Sequence, residues 1–508
     1  MLKWGDIGKR RTRTVDKLPD ELLLDIFDSC IVSEIDDQPW KWVQLAHVCR
    51  QWRQIIFASP CRLHLKLGCT NNLRTPVRKY LDVWPAFPIF IDYKLADIPE
   101  DNLKYNNDDN IMSALFSFED RYQGGRNIDD NVMSALENPD RVCGLYLDLL
   151  ASQLAKLAPV LSEPFPGLKK LRLRSCVWHW AETILPSGFL GGSAPSLQEL
   201  DFSYIPFPDL PTLLLSACEL VTLQLHGITQ AGYIPPEVMA ACLVALPKLE
   251  TFSVAFNRKV SERVSTSDLD QTHISPISRS VLPALTSFTF VGYSNYLEDL
   301  VTPIDSPQLN HISITYFYCA HIDWTVSRLF NFINRSQDPQ LTLCGWAAVG
   351  AERSDGGGFL LNLCHGRDYA PTVRISTSSE EWRVSHLIWL LGEFSARLSD
   401  VRHLSIFWSV PQELDHAEWV QLLRPFYNVQ TLYGYGDRIG EVALALEDDA
   451  EGEVDAKLFP ALILLCWDDP SMQVISVPKF EAAHRRSGHP ITNIEDPSDF
   501  FDVVQSYY

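Results

Sequence analysis

Two rhythms of apolar positions run along the chain, and they change near residue 61. Between residues 15 and 60 the spacing is helical. Leu22, Leu23, Ile26, Phe27 and Cys30 fall on one stripe, behind Leu18, Pro19, Asp20 and Glu21. Proline suits a first helical turn because its missing N–H has no intrahelical partner there, and acids at that end suit the helix dipole. Residues 33–39 are polar, acidic and aperiodic and predict a loop. Residues 40–57 predict helix again, with Val48, Cys49, Trp52, Ile55 and Ile56 on one face and Arg50, Gln51, Arg53 and Gln54 on the other. Ser59-Pro60 stops it, since the residue before a proline is driven out of helical backbone.

From residue 61 the alternation is that of strands. Leu63, Leu65 and Leu67 alternate with His64 and Lys66. A unit then recurs: an apolar residue, two positions, a second apolar residue, one position, a third. It reads Val142-Leu145-Leu147, Leu168-Leu171-Leu173, Leu197-Leu200-Phe202, Leu220-Leu223-Leu225, Leu249-Phe252-Val254, Leu285-Phe288-Phe290 and Leu309-Ile312-Ile314. It returns at Val401-Leu404-Ile406 and Leu462-Leu465-Trp467, with a degenerate copy, Val429-Leu432, that has Gly434 in the last slot. A proline stands shortly upstream of many copies, among them Pro166, Pro195, Pro247, Pro307 and Pro460.

The first seven copies step by 26, 29, 23, 29, 36 and 24 residues, straddling the roughly 20–29 residue period of leucine-rich repeats. The last two apolar positions point to one strand face and the first packs the bend before it. One unit cannot bury that face alone, so neighbours must stack. Residues 235–246, between strands, predict an outer helix. From Leu309 to Val401 the unit is missing for 92 residues. Strand-like pieces at 341–344 and 372–375 and a helix-like 384–394 predict an irregular block within 318–400. A short echo, DDNIMSAL at 108–115 and DDNVMSAL at 129–136, reads as a duplicated helix start.

Composition narrows the function. With 508 residues, 46% hydrophobic and 21% charged, the chain is globular. A net charge of −21 repels phosphate backbones and argues against a nucleic-acid binder. No apolar run approaches the roughly 20 residues of a membrane helix, and the first fifteen residues predict no secretory signal. Lys3, Lys9, Arg10, Arg11 and Arg13 make residues 1–14 a basic tail, read as a solvated end, with a nuclear address as the alternative. The 12 cysteines show no CxxC pair, which fits cytosol or nucleus.

No catalytic, metal or cofactor constellation emerges. There is no phosphate loop, no nucleophile elbow and no His-Glu-x-x-His. Cys364 and His365 are adjacent, so on an extended segment they point apart and make a poor nucleophile–base pair. Trp178-His179-Trp180 reads as turn packing or a binding patch, and 447–455, with six acids in nine residues, as a solvated insertion.

Leu18-Pro19-Asp20-Glu21-Leu22-Leu23 with Ile26-Phe27, followed by Val48-Cys49-Arg50-Gln51-Trp52-Arg53 and Ile55, resembles an F-box. The resemblance, of a fungal type, covers about 45 residues. It implies a three-helix F-box at 15–60; the recurring unit predicts, over 61–508, an irregular leucine-rich-repeat-like solenoid with parallel strands inside and helices outside, an α/β fold, and an F-box followed by such repeats is a familiar architecture. The resemblance implies an adaptor rather than an enzyme: Leu18, Pro19, Leu22, Leu23, Ile26, Val48, Cys49, Trp52 and Ile55 would face the Skp adaptor of a cullin–RING ubiquitin ligase or hold the helices together. The repeats would hold a protein substrate. The alternative is a repeat scaffold with no ligase role.

Overall fold

The computed structural model describes residues 18–32, 45–58, 65–68, 77–83, 88–93, 130–175, 184–257, 279–317, 327–335, 345–352, 358–364, 371–377, 383–408, 414–436, 439–449, 458–468, 477–486, 488 and 490–494. The chain divides into two compact units, Met1–Leu197 and Gln198–Tyr508.

Among the described residues the first unit opens with the helices α1 (Asp20–Val32) and α2 (Arg50–Ala58); much of the segment between them, in the region expected to be a three-helix F-box, lies outside the described residues. Strands β1 (Leu65–Gly68), β2 (Ile89–Tyr93), β3 (Val142–Leu149) and β4 (Lys170–Ser175) follow and pair in parallel in that order. Ile91 faces Leu145, which faces Leu171, and all three are buried. The second copy of the echo forms the helix Asp130–Leu136, where Asn131 Oδ1 accepts the Val77 N–H at 3.0 Å. The first copy lies outside the described residues.

The second unit holds β5 (Glu199–Ser203), β6 (Thr222–Ile228), β7 (Thr251–Phe256), β8 (Ser280–Val281), β9 (Ser287–Gly292), β10 (Ile304–Asp305), β11 (His311–Tyr316), β12 (Trp346–Glu352), β13 (Gly358–Cys364), β14 (Pro371–Thr377), β15 (His403–Trp408), β16 (Thr431–Tyr435), β17 (Leu464–Asp468) and β18 (Thr492–Ile494). Its large sheet runs β5-β6-β7-β9-β11-β14-β13-β12-β15-β16-β17-β18, and β8 pairs with β10 apart from it. The pairings are parallel except those of β13 with its two neighbours.

The recurring apolar positions lie in register across this sheet. Leu200, Leu223, Phe252, Phe288 and Ile312 make one cross-strand row, and Phe202, Leu225, Val254, Phe290 and Ile314 the next. All ten are buried. The rows continue through β15 to β17 as Leu404-Leu432-Leu465 and Ile406-Gly434-Trp467.

The first position of the unit closes a tight turn. The Leu249 N–H donates to Leu246 O at 3.2 Å, Leu309 to Ser306 at 3.3 Å and Leu462 to Phe459 at 3.0 Å; in the first unit Leu168 does so to Phe165 at 3.1 Å. Each of these turns has a proline (Pro247, Pro307, Pro460, Pro166) as its second residue, where a fixed φ near −65° is what the turn needs. The upstream prolines thus set the bend that aims each strand.

The block without the repeat is rearranged. After β11 and the helix Ser327–Asn334 the chain enters the sheet at β12, beside the later β15. It then returns through antiparallel β13 to β14, which pairs with β11. Val373, Leu363 and Ala347 extend one apolar row through the block, and Ile375, Leu361 and Val349 the other. The expected strand at 372–375 lies in β14, and the expected helix is Val384–Glu393. The piece at 341–344 lies outside the described residues.

Carboxylates tie one helix to the start of the next. Glu298, on the helix Ser294–Val301, accepts the N–H groups of Arg328 and Leu329 at 2.8 and 2.9 Å, at the start of the helix Ser327–Asn334. Glu447 does the same for Lys479 and Phe480 at 3.2 and 3.1 Å. A helix start leaves amides that need acceptors, and these acids supply them. Of the solvated insertion expected at 447–455, Glu447, Asp448 and Asp449 form the end of the helix Ile439–Asp449, and the rest lies outside the described residues. The tail at 1–14, the loop at 33–39 and Trp178-His179-Trp180 lie outside the described residues.

Candidate partner-docking face of the N-terminal helices

The wide apolar stripe of α1 splits into two faces. Leu23, Leu24 and Phe27 are buried, whereas Leu22 and Ile26, one turn apart, keep 48% and 45% of their surface exposed. A single helix cannot turn a stripe this broad toward one small core, so its leading edge stays in water. The Phe27 ring meets Trp52 of α2 at a centroid distance of 4.9 Å and an angle of 58°. With Ile55 and Ile56, both buried, this pair joins the helices.

Of the helix expected over 40–57, residues 40–44 lie outside the described residues, and a turn at 46–48 precedes α2. The Val48 N–H donates to Leu45 O at 3.2 Å, and the Trp52 N–H to Cys49 Sγ at 3.4 Å, so Cys49 caps the helix that begins at Arg50. Arg53 Nε donates to Ala46 O at 2.9 Å and ties the turn to the helix behind it. The turn lifts Val48 outward, 59% exposed.

The nine residues singled out in the sequence therefore divide. Pro19, Leu22, Ile26, Val48 and Cys49 are exposed, Leu18 and Trp52 are half-buried, and Leu23 and Ile55 are buried among the helices. Leu23 and Ile55 meet a partner only if the helices open. Phe57, 48% exposed near the end of α2, was missed because the five-residue helical face ends at Ile56 and offers no signal for the next position. An apolar surface made by side chains from two helices and a turn is suited to another polypeptide and has no chemistry of its own.

Among the described residues no cluster of His, Cys, Asp and Glu could hold a metal ion, and no helix is long and apolar enough to cross a membrane. Cys364 is buried, and that burial pushes its thiol up to about 11, away from the thiolate a nucleophile needs.

The family model described as F-box-like matches residues 15–61. No curated protein matches the chain. The protein thus carries an F-box-like domain ahead of an α/β region built on a large, mostly parallel sheet. F-box domains typically bind the Skp adaptor.

Proposed function

We propose that the protein is a substrate-recognition subunit of an SCF-type ubiquitin ligase, docking the Skp adaptor through Leu22, Ile26 and Val48 and holding a protein substrate on the later sheet. The observation that carries this reading is the exposed apolar face on the F-box-like domain. The in-register apolar rows and the proline turns support an irregular leucine-rich-repeat-like solenoid as the substrate-holding part. In this role the chain positions a substrate for a separate enzyme, performs no bond chemistry, and works in the cytoplasm or nucleus.

The test is capture of a purified Skp adaptor by the full chain. Leu22→Asp with Ile26→Asp places carboxylates in the apolar contact and should abolish capture, since burying an unpaired charge costs several kcal/mol. Both residues are exposed, so the circular dichroism should not change. Undiminished capture by the double variant would defeat the assignment of this face.

A further inference from the structure

The face of the second unit's sheet opposite its apolar rows carries a different pattern. One cross-strand row on it reads Gln224, Ser253, Thr289, Ser313, Arg374 and Asn362, from β6 through β7, β9, β11 and β14 to β13. Arg374 is exposed, Gln224, Thr289, Ser313 and Asn362 are half-exposed, and Ser253 is buried. Beside this row the hydroxyls of Thr315 and Ser376 pair at 2.9 Å and hold β11 against β14. Among the described residues, none of these six strands turns an Asp or Glu to this face; the other positions on it are Thr222, His226, Thr251, Ala255, Ser287, Val291, His311 and Leu360, with Cys364 on the same side but buried. The acids begin one strand beyond, where Asp201 and Glu199 of β5 stand in register with Gln224 and Thr222; across these six strands, in a chain of net charge −21, the described side chains on this face offer a guanidinium and no carboxylate. Next to Arg374 in register, Asn362 has a buried Oδ1 with no hydrogen-bond partner.

We propose that this row is the docking surface for an extended, acidic segment of a protein partner, with a carboxylate of that segment on Arg374. The reading rests on the substrate-holding role proposed for this unit and names the substrate class. Charge complementarity selects the occupant. The molecule as a whole repels acids, so an acidic segment is held best where no carboxylate faces it, and a guanidinium can grip a carboxylate through two parallel hydrogen bonds. Thr289 and Ser313 offer hydroxyls to the segment's backbone. From Gln224 to Arg374 the row crosses four inter-strand spacings, roughly 19 Å, which an extended chain of about six residues spans.

The test is fluorescence anisotropy of the full chain with a fluorescein-labelled heptaglutamate peptide, against heptaglutamine, heptalysine and a phosphoserine heptapeptide. The heptaglutamate should bind, with the heptaglutamine at least tenfold weaker, and Arg374→Glu should lower affinity for the heptaglutamate at least tenfold. Ser313→Asp, which places an acid beside Arg374 without removing it, should do so as well. Failure of the wild type to bind heptaglutamate, equal binding of heptaglutamine or heptalysine, binding of the phosphopeptide alone, or a folded Arg374→Glu protein that binds like the wild type would each overturn the proposal. The Leu22→Asp, Ile26→Asp protein should keep peptide binding, and Arg374→Glu should keep adaptor capture. Loss of the ligase reading and loss of this one are therefore separate results.

Discussion

The Trp467 ring fills the space beside Gly434 that a large side chain occupies on neighbouring strands. The two residues face each other across β16 and β17, and a Cβ on Gly434 would lie 2.3 Å from Trp467 Cζ3 and 2.7 Å from Ile439 Cγ1. The glycine that makes this repeat copy look degenerate is thus the complement of the largest residue in the next copy. Gly434→Leu should destabilise the protein by about 1–3 kcal/mol through overpacking, and Trp467→Ala, at a half-buried residue, by less than the roughly 3–5 kcal/mol of a fully buried tryptophan. Combining them should recover part of the loss. Urea unfolding of the three variants measures this, and strictly additive losses would show that the two side chains do not share one space.

Thiol reactivity should sort by burial. Cys49 and Cys218 are exposed, whereas Cys242, Cys364 and Cys466 are buried, and burial raises the thiol pKa of Cys242 and Cys364. Iodoacetamide should label Cys49 and Cys218 in the native protein and the other three only after unfolding, as read by peptide mass spectrometry. Bound Skp adaptor should protect Cys49 and leave Cys218 labelled.

The Glu298 carboxyl has a pKa raised above its usual value, mainly by burial, although the Leu329 and Arg328 N–H groups act in the other direction. The folded state therefore holds this proton to higher pH than the unfolded chain. The contribution is fully present below the unfolded value of about 4.5 and is lost as pH rises through the folded pKa. Glu298→Gln should remove that downward slope in thermal stability. Glu298→Ala should cost about 1–3 kcal/mol below the unfolded pKa, and less as pH rises through the folded pKa, by leaving two helix-start amides without an acceptor.

His403 runs the opposite way. It stacks on Trp346 at 4.2 Å and 24°, its Nδ1 bonds Thr431 Oγ1, and burial, then Arg402, pushes its pKa down from 6.5 to about 4. The unfolded chain takes up this proton first. Stability present above pH 6.5 should fall between about 6.5 and 4, by on the order of 2–3 kcal/mol. Replacing the imidazole in His403→Gln should flatten the acid limb of the unfolding midpoint against pH, and NMR titration should find the native ring still neutral at pH 5.5.

Much of the fold was legible because its information is local. The spacing of Leu249, Phe252 and Val254 states which side chains share a strand face, and Pro247 states where the bend precedes them. On the N-terminal helices, Leu22 and Leu23 are both leucines on one stripe, so periodicity does not say which is exposed. Packing says it: Phe27 and Trp52 close the contact on the side of Leu23. Glu447 shows the same limit, since an acid that caps a distant helix has the composition of an acid in solvent.

The sequence by itself determined the local elements: the amphipathic start, the recurring strand unit and its turns. Each of these follows from residues within a few positions of one another, whose period sets which face is apolar. Only the tertiary structure decided that β12, β13 and β14 enter the sheet in reverse order, that Trp467 stands in for the side chain Gly434 lacks, and that Arg374 joins a carboxylate-free row drawn from six strands. Strand order and cross-strand neighbours depend on contacts between residues far apart in the chain, and no local periodicity encodes them.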